Sequence, residues 1–248
     1  MEIFYQRKRF EQSYQPLRIN SKFELDGKLN EAEWMQTPVE DNWMQYDPDA
    51  GALPTARTEI RIMYDDVFMY VGVRAYDDPA QLIQRGLERD YVIDSDDGIA
   101  FVLDTYNDKG TGVVFISNTL GARADIEISA DGGNENESYN TYWDVAANVD
   151  SAGYTQEFRI PFSSLRFETK EKITMGFRLV RLMKRKSEYD IYPPCNPLIE
   201  DAYFKVSLAR EMELHHLKSR KPFYLTPYVI ANYSEENIFN AEQNSYNK

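Results

Sequence analysis

The clearest signal in the chain is an alternation of polar and apolar residues with a period of two. Thr58-Glu59-Ile60-Arg61-Ile62-Met63-Tyr64 alternates in this way, Asp65-Asp66 supplies a tight turn, and Phe68-Met69-Tyr70-Val71-Gly72-Val73-Arg74-Ala75-Tyr76 runs back. This predicts a hairpin with one buried face. Further short strands are predicted over residues 99–103, 112–117, 124–128, 154–160 and 174–182. Phe23-Glu24-Leu25 is a short alternating run closed by the turn pair Asp26-Gly27. Asn30 is then placed to cap a helical turn over residues 31–34, with Trp34 pointing inward. Residues 38–54 read as a surface loop, and residues 79–90 allow a short helix. Many short strands with few helices predict an all-β chain folded as an antiparallel β-sandwich. Residues 1–21 read as an N-terminal arm, 22–218 as the sandwich, and 219–248 as a linker with the start of something further. Within that last part, residues 222–233 are aromatic and strand-prone, and a lone strand has no stability of its own. The chain is therefore expected to come from a longer polypeptide.

Composition narrows the function classes. The 248 residues are 42% hydrophobic and 14% aromatic, enough for a core, which excludes a wholly disordered chain. Twenty-eight Lys and Arg against 41 Asp and Glu leave a formal charge of -13, which repels phosphate backbones and argues against nucleic-acid binding. The single cysteine, Cys195, forms neither an internal disulfide nor a cysteine-based zinc site. No apolar run reaches the roughly 18 residues of a transmembrane helix. Met1-Glu2-Ile3 leads directly into Gln6-Arg7-Lys8-Arg9, without the pattern of a signal peptide.

No catalytic arrangement stands out. Gly-x-Ser-x-Gly, His-Glu-x-x-His and a Gly-rich phosphate loop are absent, and the two histidines, His215 and His216, are adjacent and so point in different directions. The chain is expected not to be an enzyme. Asp94, Asp96 and Asp97, just before a predicted strand, offer the oxygen ligands that Ca²⁺ requires, although aspartate is also simply a good turn residue. Trp43, Tyr91, Tyr106, Tyr139, Tyr142, Trp143 and Tyr192 fall in predicted loops or at strand ends. Sugar rings present apolar C–H faces that stack on such rings, and Tyr91, Tyr106, Trp143 and Tyr192 are the candidate platforms. The competing expectation for Trp34 and Trp143 is a place in the core.

The order of segments resembles family 9 carbohydrate-binding modules. Residues 23–34 match that family's opening pattern of a hydrophobic residue, Asp26-Gly27, Glu31 and Trp34. Residues 56–78, Ser95-Asp96-Asp97-Gly98 with the strand after it, and residues 153–161 followed by Met175-Gly176-Phe177-Arg178 are similar to its later blocks. A subset of the family precedes a predicted outer-membrane β-barrel. Arg89-Asp90, Asp108-Lys109-Gly110-Thr111-Gly112 and Pro161-Phe162-Ser163-Ser164-Leu165-Arg166-Phe167 look like that subset. Tyr224-Leu225-Thr226-Pro227-Tyr228-Val229 is similar to the place where its barrel begins.

The resemblance implies a jelly-roll-like sandwich, often with bound calcium, in an exported protein of a Gram-negative envelope. It also implies sugar held between two tryptophans, but those positions fall at Asp94 and near Tyr192-Pro193. A hydroxyl-binding glutamate and arginine fall near Ala100 and Ile116, which cannot make those hydrogen bonds. The expected function is a noncatalytic module that binds an oligo- or polysaccharide. The alternative is an interaction or gating domain that packs on its own C-terminal β-barrel or on a partner, without sugar affinity.

Overall fold

The computed structural model describes residues 12–21, 23–90 and 95–217, together with the backbone of residues 238–240 and 245–247. Residues 222–233, read from sequence as the start of a further unit, lie outside the described residues. In chain order the strands are β1 (Leu17–Arg18), β2 (Met44–Asp47), β3 (Thr58–Tyr64), β4 (Phe68–Tyr76), β5 (Gly98–Asp104), β6 (Gly112–Asn118) and β7 (Arg123–Ser129). They continue with β8 (Asn134–Asn136), β9 (Asp144–Asp150), β10 (Gly153–Pro161), β11 (Lys172–Met183), β12 (Glu188–Tyr192), β13 (Arg210–His215), β14 (Ile238–Asn240) and β15 (Ser245–Asn247). The single α-helix among the described residues, α1, covers Ala32–Gln36.

Two sheets face each other as a β-sandwich. The smaller runs β1-β3-β4-β10-β9, and the larger runs β2-β12-β11-β5-β6-β7-β8, with β13 on the remaining length of β11. Every pairing in the two sheets is antiparallel except β1 with β3. The alternation in the sequence accounts for the layers. Ile60, Ile62, Val71 and Val73 turn inward from the smaller sheet to meet Ile99, Phe101, Phe115, Phe177 and Leu179 from the larger, with Trp143 and Phe158 between them.

The larger sheet also carries a second apolar layer on its outer face. Ala100, Val102, Val114, Ile116, Val180, Leu182 and Ile191 pack there under Tyr203, Phe204 and Val206. Strands buried on both faces lose the polar–apolar alternation and read as continuous apolar runs, as Ile99-Ala100-Phe101-Val102-Leu103 does.

Three local expectations are corrected. The helix over residues 32–36 starts after Glu31 rather than Asn30, and no side chain caps it. Residues 79–90 form only a 3-10 turn at Pro79–Gln81, because the backbone amides of Ile83 and Arg85 are drawn off to the Asp97 and Asp96 carboxylates at 2.9 and 3.0 Å. The stretch read as the loop 38–54 contains β2, which adds Met44–Asp47 to the edge of β12. The turn at Asp26-Gly27 is as expected: Gly27 sits at φ +81°, and a Cβ there would lie 2.8 Å from the Ala147 backbone.

Candidate functional site

The outer face of the larger sheet holds a groove of about 880 Å³. Its floor is aliphatic. Ala100 and Ile116 are cross-strand partners on β5 and β6, Ala124 pairs with Ile116 from β7, and Val180 pairs with Ala100 from β11. Tyr189 stands opposite Leu182 on the neighbouring strand and forms one wall with Tyr203 and Phe204, while Asp90, Glu135, Glu137, Asp201 and Lys205 line the rim. Tyr189 and Tyr203 are tilted against each other at 5.4 Å between ring centroids, and Tyr46 meets Tyr203 edge-on at 4.8 Å.

One buried guanidinium holds this wall. Arg178 lies on the same face as Val180 and Leu182 and is fully buried. It donates to the carbonyls of Tyr203 at 3.2 Å, Pro193 at 3.3 Å and Leu208 at 3.3 Å. Among the described residues these carbonyls accept no other backbone hydrogen bond outside the regular elements, so the segment between β12 and β13 is fastened to the sheet where Tyr203 and Phe204 project. Burial pulls the Arg178 pKa below its usual value. The Tyr203 hydroxyl also donates to Asp47, which joins the wall to β2.

A separate polar cluster sits under α1. Carboxylate oxygens of Asp26, Glu31 and Glu157 lie within 4.8 Å of one another. Glu157 accepts from Trp34 Nε1 at 2.9 Å and from the backbone amides of Gly27 at 2.8 Å and Asp26 at 3.1 Å. Burial, opposed by these bonds and reinforced by the charges of Glu31 and Asp26, pushes the Glu157 carboxyl up to about 7. Burial raises Glu31 as well, and its Oε2 has no hydrogen-bond partner among the described residues. An all-oxygen donor set with an orphaned, buried carboxylate oxygen fits a hard divalent cation such as Ca²⁺.

The residues singled out from sequence fall in different places. Trp143 and Tyr192 are 0% exposed, so neither ring can stack on a ligand. Trp143 lies parallel to Phe158 at 5.8 Å and donates from Nε1 to Asp125 at 3.2 Å. Tyr192 packs between Trp43 and Phe177 in the core, with its hydroxyl bonded by Arg210. The period of two explains the correction, because Tyr189 and Ile191 face the groove and Tyr192 faces inward. Tyr106 is 55% exposed, away from the groove, and Tyr91 lies outside the described residues.

Asp94 also lies outside them, and Asp96 and Asp97 are buried and occupied. Asp96 accepts from Arg85 N and from Asn118 Nδ2 at 2.8 Å, and Asp97 from Ile83 N and from Lys184 N at 2.6 Å. Asp96 and Asp97 are struts that tie loops to β5, and among the described residues the carboxylates gathered at ligand spacing are Asp26, Glu31 and Glu157.

A sequence profile described as carbohydrate family 9 binding domain-like matches residues 25–188. The chain belongs to this family. No curated protein matches it in sequence. Among solved structures, a family 9 carbohydrate-binding module from Caldicellulosiruptor kristjanssonii in complex with glucose is 16% identical. It aligns over 86% of this chain and 100% of its own, with a TM-score of 0.57. A module from the same organism in complex with cellotriose is 19% identical over 87% and 100% of the two chains, with a TM-score of 0.54. A Bacteroides uniformis protein assigned as carbohydrate-binding is 9% identical over 82% and 98%, with a TM-score of 0.66. These likenesses establish the fold.

For a family 9 domain the geometry of the groove is informative. Ala100 and Ile116, where the resemblance places the hydroxyl-binding glutamate and arginine, are adjacent in the groove floor. Sequence reasoning missed Tyr189, Tyr203, Phe204 and Arg178. The parity of β12 identifies Tyr189, since Val180 and Leu182 fix which face is outward, but no local signal brings Tyr203 beside it.

Proposed function

We propose that this domain is a noncatalytic carbohydrate-binding module whose ligand lies in the outer groove of the larger sheet. The observation that carries this reading is the tyrosine-walled groove, whose floor holds Ala100 and Ile116, the positions near which the sequence resemblance puts the family's hydroxyl-binding residues; the chain's structural neighbours include modules holding glucose and cellotriose. The apolar face of a pyranose ring packs on Tyr189 and Tyr203 and on the floor at Ala100 and Ile116, while the rim of Glu135, Glu137, Asp201 and Lys205 takes hydroxyls. Calcium, where bound, is held by Asp26, Glu31 and Glu157 and fastens the 23–34 segment to β10. The module serves a larger exported envelope protein of a Gram-negative bacterium, which the sequence likeness to barrel-bearing family members supports. Fractionation of cells expressing the full-length protein tests this, and recovery in the cytosol argues against it.

The direct test of binding is thermal unfolding across neutral oligosaccharides such as cellotriose, xylotriose and mannotriose, with calcium present. A ligand at about 100 times its dissociation constant adds roughly 2.7 kcal/mol and raises the melting temperature. One sugar class is expected to give this shift in the wild type and not in Tyr189→Ala. The absence of a shift with every sugar favours the interaction or gating domain, a role the purely aliphatic floor would suit.

A further inference from the structure

A second cleft, of about 310 Å³, lies on the other face of the same strands. On β6 and β7, residues Phe115 and Asp125 face the core, so Val113, Glu127 and Ser129 face the same way further along the strands. β8 continues the row: Asn136 pairs with Glu127, and Asn134 pairs with Ser129. The result is a floor of carboxylate, amide and hydroxyl groups that includes an Asn136 Nδ2 to Glu127 Oε2 hydrogen bond of 3.3 Å. Tyr106 from the β5–β6 loop, Tyr139 and Arg166 complete the lining. Arg166 is exposed and makes no ion pair among the described residues.

The two walls are set in advance by buried aspartates. Asp104 accepts from the backbone amides of Asp108 at 3.1 Å and Lys109 at 2.9 Å, which fixes the loop that carries Tyr106. Asp125 accepts from Thr141 N at 2.6 Å, while Arg89 donates to Asp125 and to the Thr141 carbonyl, which fixes the chain beside Tyr139. Thr105 Oγ1 donates to the Arg166 carbonyl at 2.5 Å and ties the third segment to the first.

We propose that this cleft is a second carbohydrate subsite, which takes one neutral pyranose residue stacked on Tyr106 with its hydroxyls held by Glu127, Asn136 and Arg166. Of the charged residues in the lining, Glu127 and Arg166 are on this face while strand alternation turns the Glu135 side chain to the other, so the face carries no net charge to attract an acidic or basic ligand, and both groups bond vicinal hydroxyls in pairs. A preformed cleft with a few convergent polar groups and a flanking aromatic is the usual form of a small-ligand site. The inference rests on the carbohydrate reading of the domain but concerns a different set of residues from the outer groove.

Amide-resolved NMR titration of the full chain with glucose, xylose, mannose, galactose and glucuronate tests it, alongside Tyr106→Ala, Arg166→Met and Tyr203→Ala. The expected result is that at least one neutral sugar shifts the amides of residues 106, 111–113, 127 and 134–136. Tyr106→Ala and Arg166→Met should each weaken that site about tenfold or more while Tyr203→Ala leaves it unchanged. Shifts confined to residues 100, 116, 180–182 and 189 overturn the second subsite and leave the outer groove standing. Shifts at neither set overturn both. A response to glucuronate alone, lost in Arg166→Met, overturns the neutral-sugar assignment.

Discussion

Trp143 places its indole inside the sandwich, parallel to Phe158, with its one N–H on the buried Asp125 carboxylate. Trp143→Ala is therefore expected to cost about 3–5 kcal/mol of stability, measured by urea unfolding. A loss under 1 kcal/mol would show that the ring is not a core element. Glu157 gives a pH prediction. Its carboxyl titrates near 4.5 in an open chain and near 7 when folded, so the folded state holds the extra proton between those values. The stability tied to this proton is full below about pH 4.5 and is lost as the pH rises through about 7. Asp190, buried beside Glu188 and pushed up to about 8, adds a slope of the same sign. The difference in urea midpoint between the wild type and Glu157→Gln, taken in chelator, should fall from pH 4.5 to 7.5. A difference flat with pH contradicts the assignment, and millimolar Ca²⁺ should raise the wild-type midpoint at pH 7.5 and above. At this scale the sequence shows which residue types are present but not which way they point. Tyr189 and Tyr192 are equally aromatic, and only the parity of β12 separates a groove wall from a core ring.

The single buried face expected of the β3–β4 hairpin is corrected, since Met63 and Tyr70 on its second face are buried with Ile19 and Trp34. The hairpin itself was legible from the chain because its residue types alternate with period two and Asp65 caps the turn through the amides of Val67 and Phe68 at 2.6 and 2.7 Å. β2, β8, β12 and β13 were not, since they are short and take their conformation from a neighbouring strand rather than from their own pattern. Residues 82–85 do not continue the helical turn for a similar reason, the amides of Ile83 and Arg85 being captured by aspartates further along the chain. The segment that bears Tyr203 is held by Arg178, and this element carries its own prediction. Arg178→Met leaves three carbonyls without a donor and should cost about 3 kcal/mol. Hydrogen exchange should accelerate over residues 203–209 more than over β3 and β4. Equal acceleration in both places would mean that Arg178 supports the sandwich as a whole rather than the groove wall.

At the scale of the molecule, the larger sheet is a plate with different chemistry on its two sides. One side completes the core and, beyond the core, floors the small polar cleft; the other carries the aliphatic groove. The family and the sandwich were legible because Asp26-Gly27, Glu31 and Trp34 form a spaced motif with a structural purpose: Gly27 fits where a side chain would collide, and Trp34 and the turn amides bind Glu157. The ligand site was less legible because family motifs report on the scaffold, whereas the groove joins β5, β6, β11 and β12 to residues 203–205 of an irregular segment. Sugar binding in this groove through its tyrosines is decided by calorimetric titration of wild type and Tyr203→Ala with the oligosaccharide that best raises the melting temperature. Saturable binding to the wild type, weakened tenfold or more in a variant that unfolds at a wild-type temperature, is the predicted result. Unaltered affinity in Tyr203→Ala, or no heat of binding from any sugar, would contradict it.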